Sequence, residues 1–379
     1  MEIFENSNQK IIDEIKSIKE SLNRTSSKND KNIIFDSLLC LMDTCNIDGI
    51  ENNLLHNTIK YNKNALKNAY TTYYKYKRNL FKNLMENKEN YNNLFYKSCV
   101  LFSKQLKKLD YTTKNNIYFS EKELYELLHD FFYDCHKENI EFIDSMIKGG
   151  RIIKKTYENH YLGCCSNIYK SNPLIIVCCE DENKFLLEDL ITIIHELGHA
   201  IDFKDLSTNA SSNTIEKYMM ISSLAEFNSQ LYEKQAYEYF LDKKIDYKDT
   251  LSNFIEYYEG IYNTTYESLL FTTLSNHDII NNLYYNCDMN QFDDILLKDN
   301  DYEYSLDNIT ESLEYSIGGI LAIYCDGKIK ENKDEGIKIY NKIMGMRTFG
   351  FDKIKEAIEL DPKEVNRVLK KQFDVFKKF

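Results

Sequence analysis

Two histidines four residues apart stand out in the segment His195-Glu196-Leu197-Gly198-His199. The apolar pattern from Leu186 through Phe203 is helical, so both side chains should lie on one helical face with their Cβ atoms about 5–6 Å apart. Two imidazole nitrogens at this spacing can bind one ion at about 2.0–2.1 Å, as in zinc sites. The pattern therefore predicts that His195 and His199 are metal ligands.

Glu196 follows the first of these histidines and should lie beside the position where a zinc ion binds water. Zinc lowers the pKa of that water to about 7, and a nearby carboxylate can take its proton as the water attacks a carbonyl. We expect Glu196 to act as this general base. The alternative is a helix with two ordinary, partly buried histidines. Gly198 argues against it, because a glycine inside a helix costs about 1 kcal/mol relative to alanine and is tolerated where another segment approaches closely.

A catalytic zinc ion needs a third protein ligand. The next strongly helical segment, Met219 to Phe240, contains Glu226 among apolar neighbours. An acid in such surroundings is a candidate ligand. Glu233 lies two turns further on the same helical face and could orient a ligand through a hydrogen bond, although an acid on a helix surface needs no such role.

The elements around these residues are predicted to be mainly helices. The 379 residues include only 2 prolines and 12 glycines, and most segments have apolar residues at three- and four-residue spacing. Helices are expected over residues 11–22, from the Ser120/Glu123 capping box, and from Asp361-Pro362. The run Leu174 to Cys179 favours a strand. The small polar segment Ser207 to Thr214 is predicted to be a mobile loop between helices.

Composition excludes several classes of function. The formal net charge of -12 repels polyphosphate, and the lysines are interleaved with acids, so we expect no nucleic-acid partner. No apolar run approaches the roughly 18 residues of a membrane span, and the first residues do not form a secretory signal. The 10 cysteines lack zinc-site spacing and are expected to be reduced thiols. We therefore expect a cytoplasmic protein with no membrane partner.

The segment Asp189 to Ala200, followed by Glu226 and then Glu233 seven residues later, resembles the ligand helices of the oligoendopeptidase F and thimet oligopeptidase family. This resemblance implies a mainly α zinc metallopeptidase fold, with a small β-sheet beside the active-site helix and a deep substrate channel. It covers roughly residues 116 to 379. We accordingly expect a catalytic domain over residues 116–379 and an N-terminal helical region over residues 1–115.

The resemblance also implies roles for residues outside the ligand set. Family members pair a strand with the bound peptide, which here corresponds to Gly163 and the run Leu174, Ile175, Ile176 and Val177. Tyr315, Gly318 and Gly319 are similar to the segment that lines the family's active site, and Tyr315 would stabilise the oxyanion. The sequence departs from the family at Ser305, where a histidine is usual, and this leaves transition-state stabilisation open.

These observations predict an oligoendopeptidase-like hydrolase with one Zn²⁺ per chain and short unfolded peptides as substrates. A peptide would add its backbone to the edge of the Leu174 to Cys179 strand. Two alternatives remain open. One is a helical zinc carboxypeptidase that trims single residues from a free C-terminus, and the other is a peptidase-like binding protein that has lost turnover.

Overall fold

A computed structural model gives the structure of the chain. It describes residues 3–4, 7–27, 30–31, 34, 37, 86–109, 114–156, 163–168, 171–179, 181, 183–209, 224–273, 301–345, 355–356 and 359–378. Within these ranges the chain is mainly helical with a small three-stranded sheet, which confirms the predicted fold class. The substrate channel stays a prediction.

The α-helices in chain order are α1 (Ser7–Arg24), α2 (Lys88–Leu106), α3 (Glu121–Cys135), α4 (Ile140–Lys148), α5 (Leu187–Asn209), α6 (Phe227–Lys243), α7 (Tyr247–Thr273), α8 (Asp301–Glu331), α9 (Lys333–Gly345) and α10 (Pro362–Gln372). The strands are β1 (Ile152–Thr156), β2 (Gly163–Ser166) and β3 (Leu174–Cys179), and short 3-10 helices cover Lys137–Asn139 and Phe373–Lys378. Within the described ranges, no helix is both long enough and apolar enough to cross a bilayer.

The sheet has the order β1-β3-β2, with β1 parallel and β2 antiparallel to β3. On one side of β3, Ile175 through Cys179 pair with β1, and on the other side Leu174 through Val177 pair with β2. The prediction of a strand at Leu174 to Cys179 is confirmed. Its assignment as an edge strand is wrong, because β3 is the central strand.

This strand order also removes the basis for assigning substrate contacts to β3. Leu174, Ile175, Ile176 and Val177 are at most 1% exposed. The backbone groups that would pair with a peptide bond to β1 and β2 instead. A run of apolar residues without polar alternation is typical of a strand covered on both faces. β3 is therefore a core element that supports its neighbours.

The described residues form two compact units, one comprising residues 1–70, 112–219 and 235–253 and the other 71–111, 220–234 and 254–379. The predicted boundary after residue 115 stays a prediction.

In the first unit, the apolar stripe of α1 is buried, and α1 packs on β1. α3 begins at the predicted capping box, in which the Ser120 and Glu123 side chains accept each other's backbone N–H groups. Helix α5 extends to Asn209, so the first residues of the predicted Ser207–Thr214 loop are helical and the rest lie outside the described residues.

The second unit contains α2, α8, α9 and α10, together with the residues of α6 and α7 that fall in its ranges. α10 packs against α2 and α8. It starts at Asp361, whose side chain accepts the Lys363 N–H at 3.0 Å, and Pro362 follows in the first turn, as expected for a helix start. The seven cysteines in the described part of the chain are free thiols, as predicted for those residues.

A buried ion pair joins α6 to α8 within the second unit. Lys234 is fully buried and Asp326 is 2% exposed. The Lys234 Nζ donates to Asp326 Oδ2 and, at 3.2 Å, to Gln372 Oε1, while Lys330 donates to Asp326 at 2.7 Å. Burial raises the pKa of the Asp326 carboxyl, but the two lysines outweigh it, and the net effect lowers that pKa. Because both charges are removed from water, removing either one would leave the other buried without its counter-charge.

We expect Asp326→Asn to lower the free energy of unfolding by about 3–5 kcal/mol, since it leaves the Lys234 ammonium buried without its counter-charge. The double variant Lys234→Met/Asp326→Leu should lose less, because no buried charge remains. Urea unfolding followed by far-UV circular dichroism measures both. The control is Asp374→Asn in the exposed Lys377–Asp374 pair, which should change stability by less than about 1 kcal/mol. Equal losses for the buried and exposed pairs would contradict this account.

Candidate metal centre

Helix α5 presents the two histidines from a rigid support. Leu190, Ile194 and Leu197 on this helix have no exposed surface, and α5 packs against β2 and β3. His195 and His199 are half-buried, with ring centroids 5.0 Å apart. The predicted helix and the predicted proximity of the two imidazoles are both confirmed.

Glu196 belongs to α5, and its side chain faces β2. Its side chain is 6% exposed. A Cβ atom added to Gly163 of β2 would lie 3.2 Å from Glu196 Oε1 and 2.7 Å from Thr192 Cγ2. The absence of a side chain at Gly163 therefore lets β2 lie directly against the Glu196 carboxylate. The structure places Gly163 beside the predicted general base, and a contact of Gly163 with substrate stays a prediction.

Glu226 lies in a turn that precedes α6, and not inside a helix as the sequence pattern predicted. Residues 219–223 lie outside the described residues, Leu224 through Glu226 form the turn, and the helix begins at Phe227. The Leu224 carbonyl accepts the Phe227 N–H at 3.0 Å, and the Glu226 carbonyl accepts the Gln230 N–H at 3.1 Å. The apolar spacing is continuous through the turn, which explains why sequence analysis extended the helix too far.

His195, His199 and Glu226 form a group that could hold a metal ion. Each residue offers one ligand atom, and these atoms all lie within 4.8 Å of one another. Each of the three side chains is half-buried. Two imidazoles and one carboxylate are a ligand set that zinc uses in catalytic sites, where water or substrate occupies the fourth position. The residues thus fit a zinc ion in number, chemical type and proximity.

Ser229 is a residue of this site that the sequence analysis missed. It is fully buried, and its Oγ lies 3.0 Å from Glu226 Oε2 and 3.1 Å from the Glu226 backbone carbonyl. The hydroxyl can donate its single proton to either oxygen, and when it donates to Oε2 it helps to orient the carboxylate. A serine that bonds the carbonyl three residues earlier is a known local motif, so the spacing of Glu226 and Ser229 carried a usable signal.

Helix α8 approaches the Glu226 turn at Gly318. A Cβ atom added there would lie 2.9 Å from both the backbone carbon and the Cβ of Glu226. Tyr315 is half-buried and lies three residues earlier on the same helix, so the two positions are neighbours on the α8 surface. Tyr315 therefore lies about one helical turn from Gly318, the residue that contacts the Glu226 turn. Its role as an oxyanion donor stays a prediction.

The other predicted residues occupy different surroundings. Gly319 packs against Ile261 of α7, since an added Cβ would lie 2.7 Å from Ile261 Cγ1. Glu233 is half-buried on α6, two turns after Glu226. Ser305 belongs to the first part of α8, where the structure describes the backbone and not the side chains. A substrate contact for Gly318 or Gly319 and an orienting role for Glu233 stay predictions.

Comparisons with known proteins add little to this geometry. No protein-family model matches the chain, and no curated protein matches it. A solved structure described as "putative peptidase from Chlamydophila abortus" is similar to it, with 17% sequence identity and a TM-score of 0.47. The match covers 79% of this chain and 54% of that one, so the chain spans about half the length of that structure. The functional proposal therefore depends on the residues of this chain.

We expect Ser229→Ala to weaken zinc binding by about 10–100-fold, because it removes a hydrogen-bond donor to the Glu226 carboxylate. Competition with a chromophoric zinc chelator measures the affinity. Ser268→Ala is the matched control, since it removes a buried Ser268–Ser316 hydrogen bond on α7 and α8 that involves none of the proposed ligands. An unchanged affinity in Ser229→Ala would show that the hydroxyl does not position the ligand.

Proposed function

We propose that the chain is a zinc-dependent metallopeptidase that hydrolyses peptides and binds one Zn²⁺ through His195, His199 and Glu226. The observation that carries the proposal is the grouping of these three ligand atoms within 4.8 Å of one another. The next residue after the first ligand, Glu196, adds a buried carboxylate. Hydrolysis by an activated water requires ligands that hold the metal and a nearby carboxylate that accepts the proton of the water.

When bound, zinc would act as a Lewis acid that polarises the scissile carbonyl and makes water a stronger acid. The Glu196 carboxylate would accept the proton of the attacking water and then deliver it to the leaving amine, so that one residue serves as base and then as acid. Its enclosure between α5 and β2 would keep the carboxylate in a fixed orientation. The Tyr315 hydroxyl would donate a hydrogen bond to the developing oxyanion.

The outer edge of β2 is the candidate for binding the substrate backbone. In the described part of the chain, β2 pairs with β3 on one side only. Its first residue, Gly163, lies against Glu196. A peptide that added to this edge would run past the general base, and backbone pairing would give affinity with little sequence preference. This proposal replaces the peptide-binding role first assigned to the β3 edge.

We expect Glu196→Gln to keep zinc and lose peptide hydrolysis, because the amide keeps the shape of the side chain but cannot accept the proton. The loss should be about a hundredfold or more. Zinc content by elemental analysis and cleavage of a quenched peptide library are measured on the same sample. Full activity with zinc retained would reject the mechanism.

The same peptide digest, run with and without a chelator, tests the function as a whole. Activity should fall on chelation and return when zinc is added. Mass spectrometry of the products separates cleavage at internal bonds from trimming of C-terminal residues. Stoichiometric zinc without cleavage of any peptide would favour the binding-protein alternative.

Gly163→Ala should lower peptide turnover by about a hundredfold with zinc retained, because the new methyl group would lie 2.7 Å from Thr192 Cγ2 and 3.2 Å from Glu196 Oε1, so that β2 or these side chains must shift. Gly260→Ala in α7 is the control, since a Cβ atom there meets nothing within 4 Å. The control should keep full turnover and gain about 0.5–1 kcal/mol of stability. Normal turnover in Gly163→Ala would show that the contact between β2 and Glu196 has no part in catalysis.

A further inference from the structure

A groove between α2 and α10, here called the basic groove, collects positive charge in a chain of net charge -12. Its cavity volume is about 470 Å³, and all of its lining residues belong to the second unit. Six basic side chains line it: Lys97, Lys104, Lys108, Lys363, Arg367 and Lys370. None of these belongs to the proposed metal centre.

The cations form two rows that face the same space. Lys97 and Lys104 lie on α2 seven residues apart and therefore on one helical face, and Lys108 follows in the turn after the helix ends at Leu106. On α10, Lys363, Arg367 and Lys370 are spaced by four and three residues and also share a face. Because both rows line the basic groove, a ligand between them would meet positive charge from both sides.

Within the described residues, Arg367 and the lysines of the groove differ in their ion pairs. Arg367 is committed, since its guanidinium bonds both Glu331 and Glu364 at 2.7 Å. By contrast, no carboxylate of the described residues forms an ion pair with any of the five lysines. An anionic ligand in the groove would be attracted by these five ammonium groups.

Part of the groove surface, on α2, is apolar. Tyr96 is 62% exposed and Val100 is 51% exposed, and both line the groove together with Leu101. Large apolar side chains grouped at the surface are typical of interaction sites. A small anion would leave this surface uncovered, whereas a segment with an apolar face and acidic flanks would cover both parts. Single-stranded nucleic acid stacks its bases on successive aromatic side chains, and this groove offers one aromatic residue, Tyr96.

We propose that the basic groove binds an acidic amphipathic segment of a partner protein, with its apolar face on Tyr96, Val100 and Leu101 and its carboxylates between the lysine rows. From Lys97 to Lys104 the α2 row extends over about 10 Å, which corresponds to about two turns of a bound helix. The charge complementarity would speed association and fix the orientation, and the apolar contact would slow dissociation.

The test uses the full chain and a fluorescein-labelled helical peptide of three to four turns, with leucine on one face and glutamate elsewhere. Fluorescence anisotropy measures its affinity at two salt concentrations. Binding should weaken with salt, and Lys97→Glu/Lys104→Glu/Lys370→Glu should weaken it by about tenfold or more. The control Lys19→Glu/Lys333→Glu/Lys338→Glu makes the same change of net charge at exposed positions outside the groove and should bind within about twofold of the unmodified chain.

Val100→Ser removes apolar surface without changing charge, and it should also weaken peptide binding. Circular dichroism and thermal unfolding confirm that each variant is folded. A single-stranded oligonucleotide and vesicles containing phosphatidylserine are tested in parallel. The proposal is overturned if the peptide does not bind, if both triple variants bind it equally, or if the groove lysines govern binding of the oligonucleotide or vesicles and not of the peptide.

Discussion

The position of the Glu226 carboxylate depends on a close approach of two backbones. At Gly318, helix α8 lies so near the Glu226 turn that a methyl group would be 2.9 Å from the turn's backbone carbon. Side chains cannot separate the two segments there, so the turn is held by the helix itself. The Ser229 hydroxyl lies 3.0 Å from Glu226 Oε2 and can donate to it. The contact at Gly318 thus acts on the backbone of the turn, and the contact of Ser229 acts on the side chain.

A further contact between these segments fixes their register. Lys234 on α6 and Asp326 on α8 lie eight residues after Glu226 and Gly318, respectively, and they form the buried ion pair. Equal spacing along both segments means that α6 and α8 run side by side in the same direction over about 12 Å. A shift of one residue between them would separate the buried charges, which is costly in a low-dielectric interior. The ion pair therefore protects the alignment on which the Glu226 turn depends.

The parts of the site that follow from local periodicity could be predicted from the sequence. The His195–His199 pair is set by the geometry of one helix, and the general-base candidate is adjacent in sequence, so no tertiary information was needed. The errors concern non-local contacts. The pattern of Leu174 to Cys179 indicates burial but does not say which strands flank it, so β3 was assigned to an edge. The turn at Glu226 is stabilised by its hydrogen bonds and by α8, and an apolar pattern that continues through it cannot reveal the start of α6.

The separation of these contacts along the chain has a consequence for folding. Lys234 and Asp326 are 92 residues apart, and Gly318 is equally far from Glu226. Bringing such distant segments together carries a loop-closure cost that contacts within one helix avoid, so they form more slowly. The imidazole pair is available as soon as α5 exists, whereas the carboxylate gains its fixed position only after α8 docks. A nascent or partly folded chain would therefore present the two candidate nitrogen ligands before it could present all three candidate ligands.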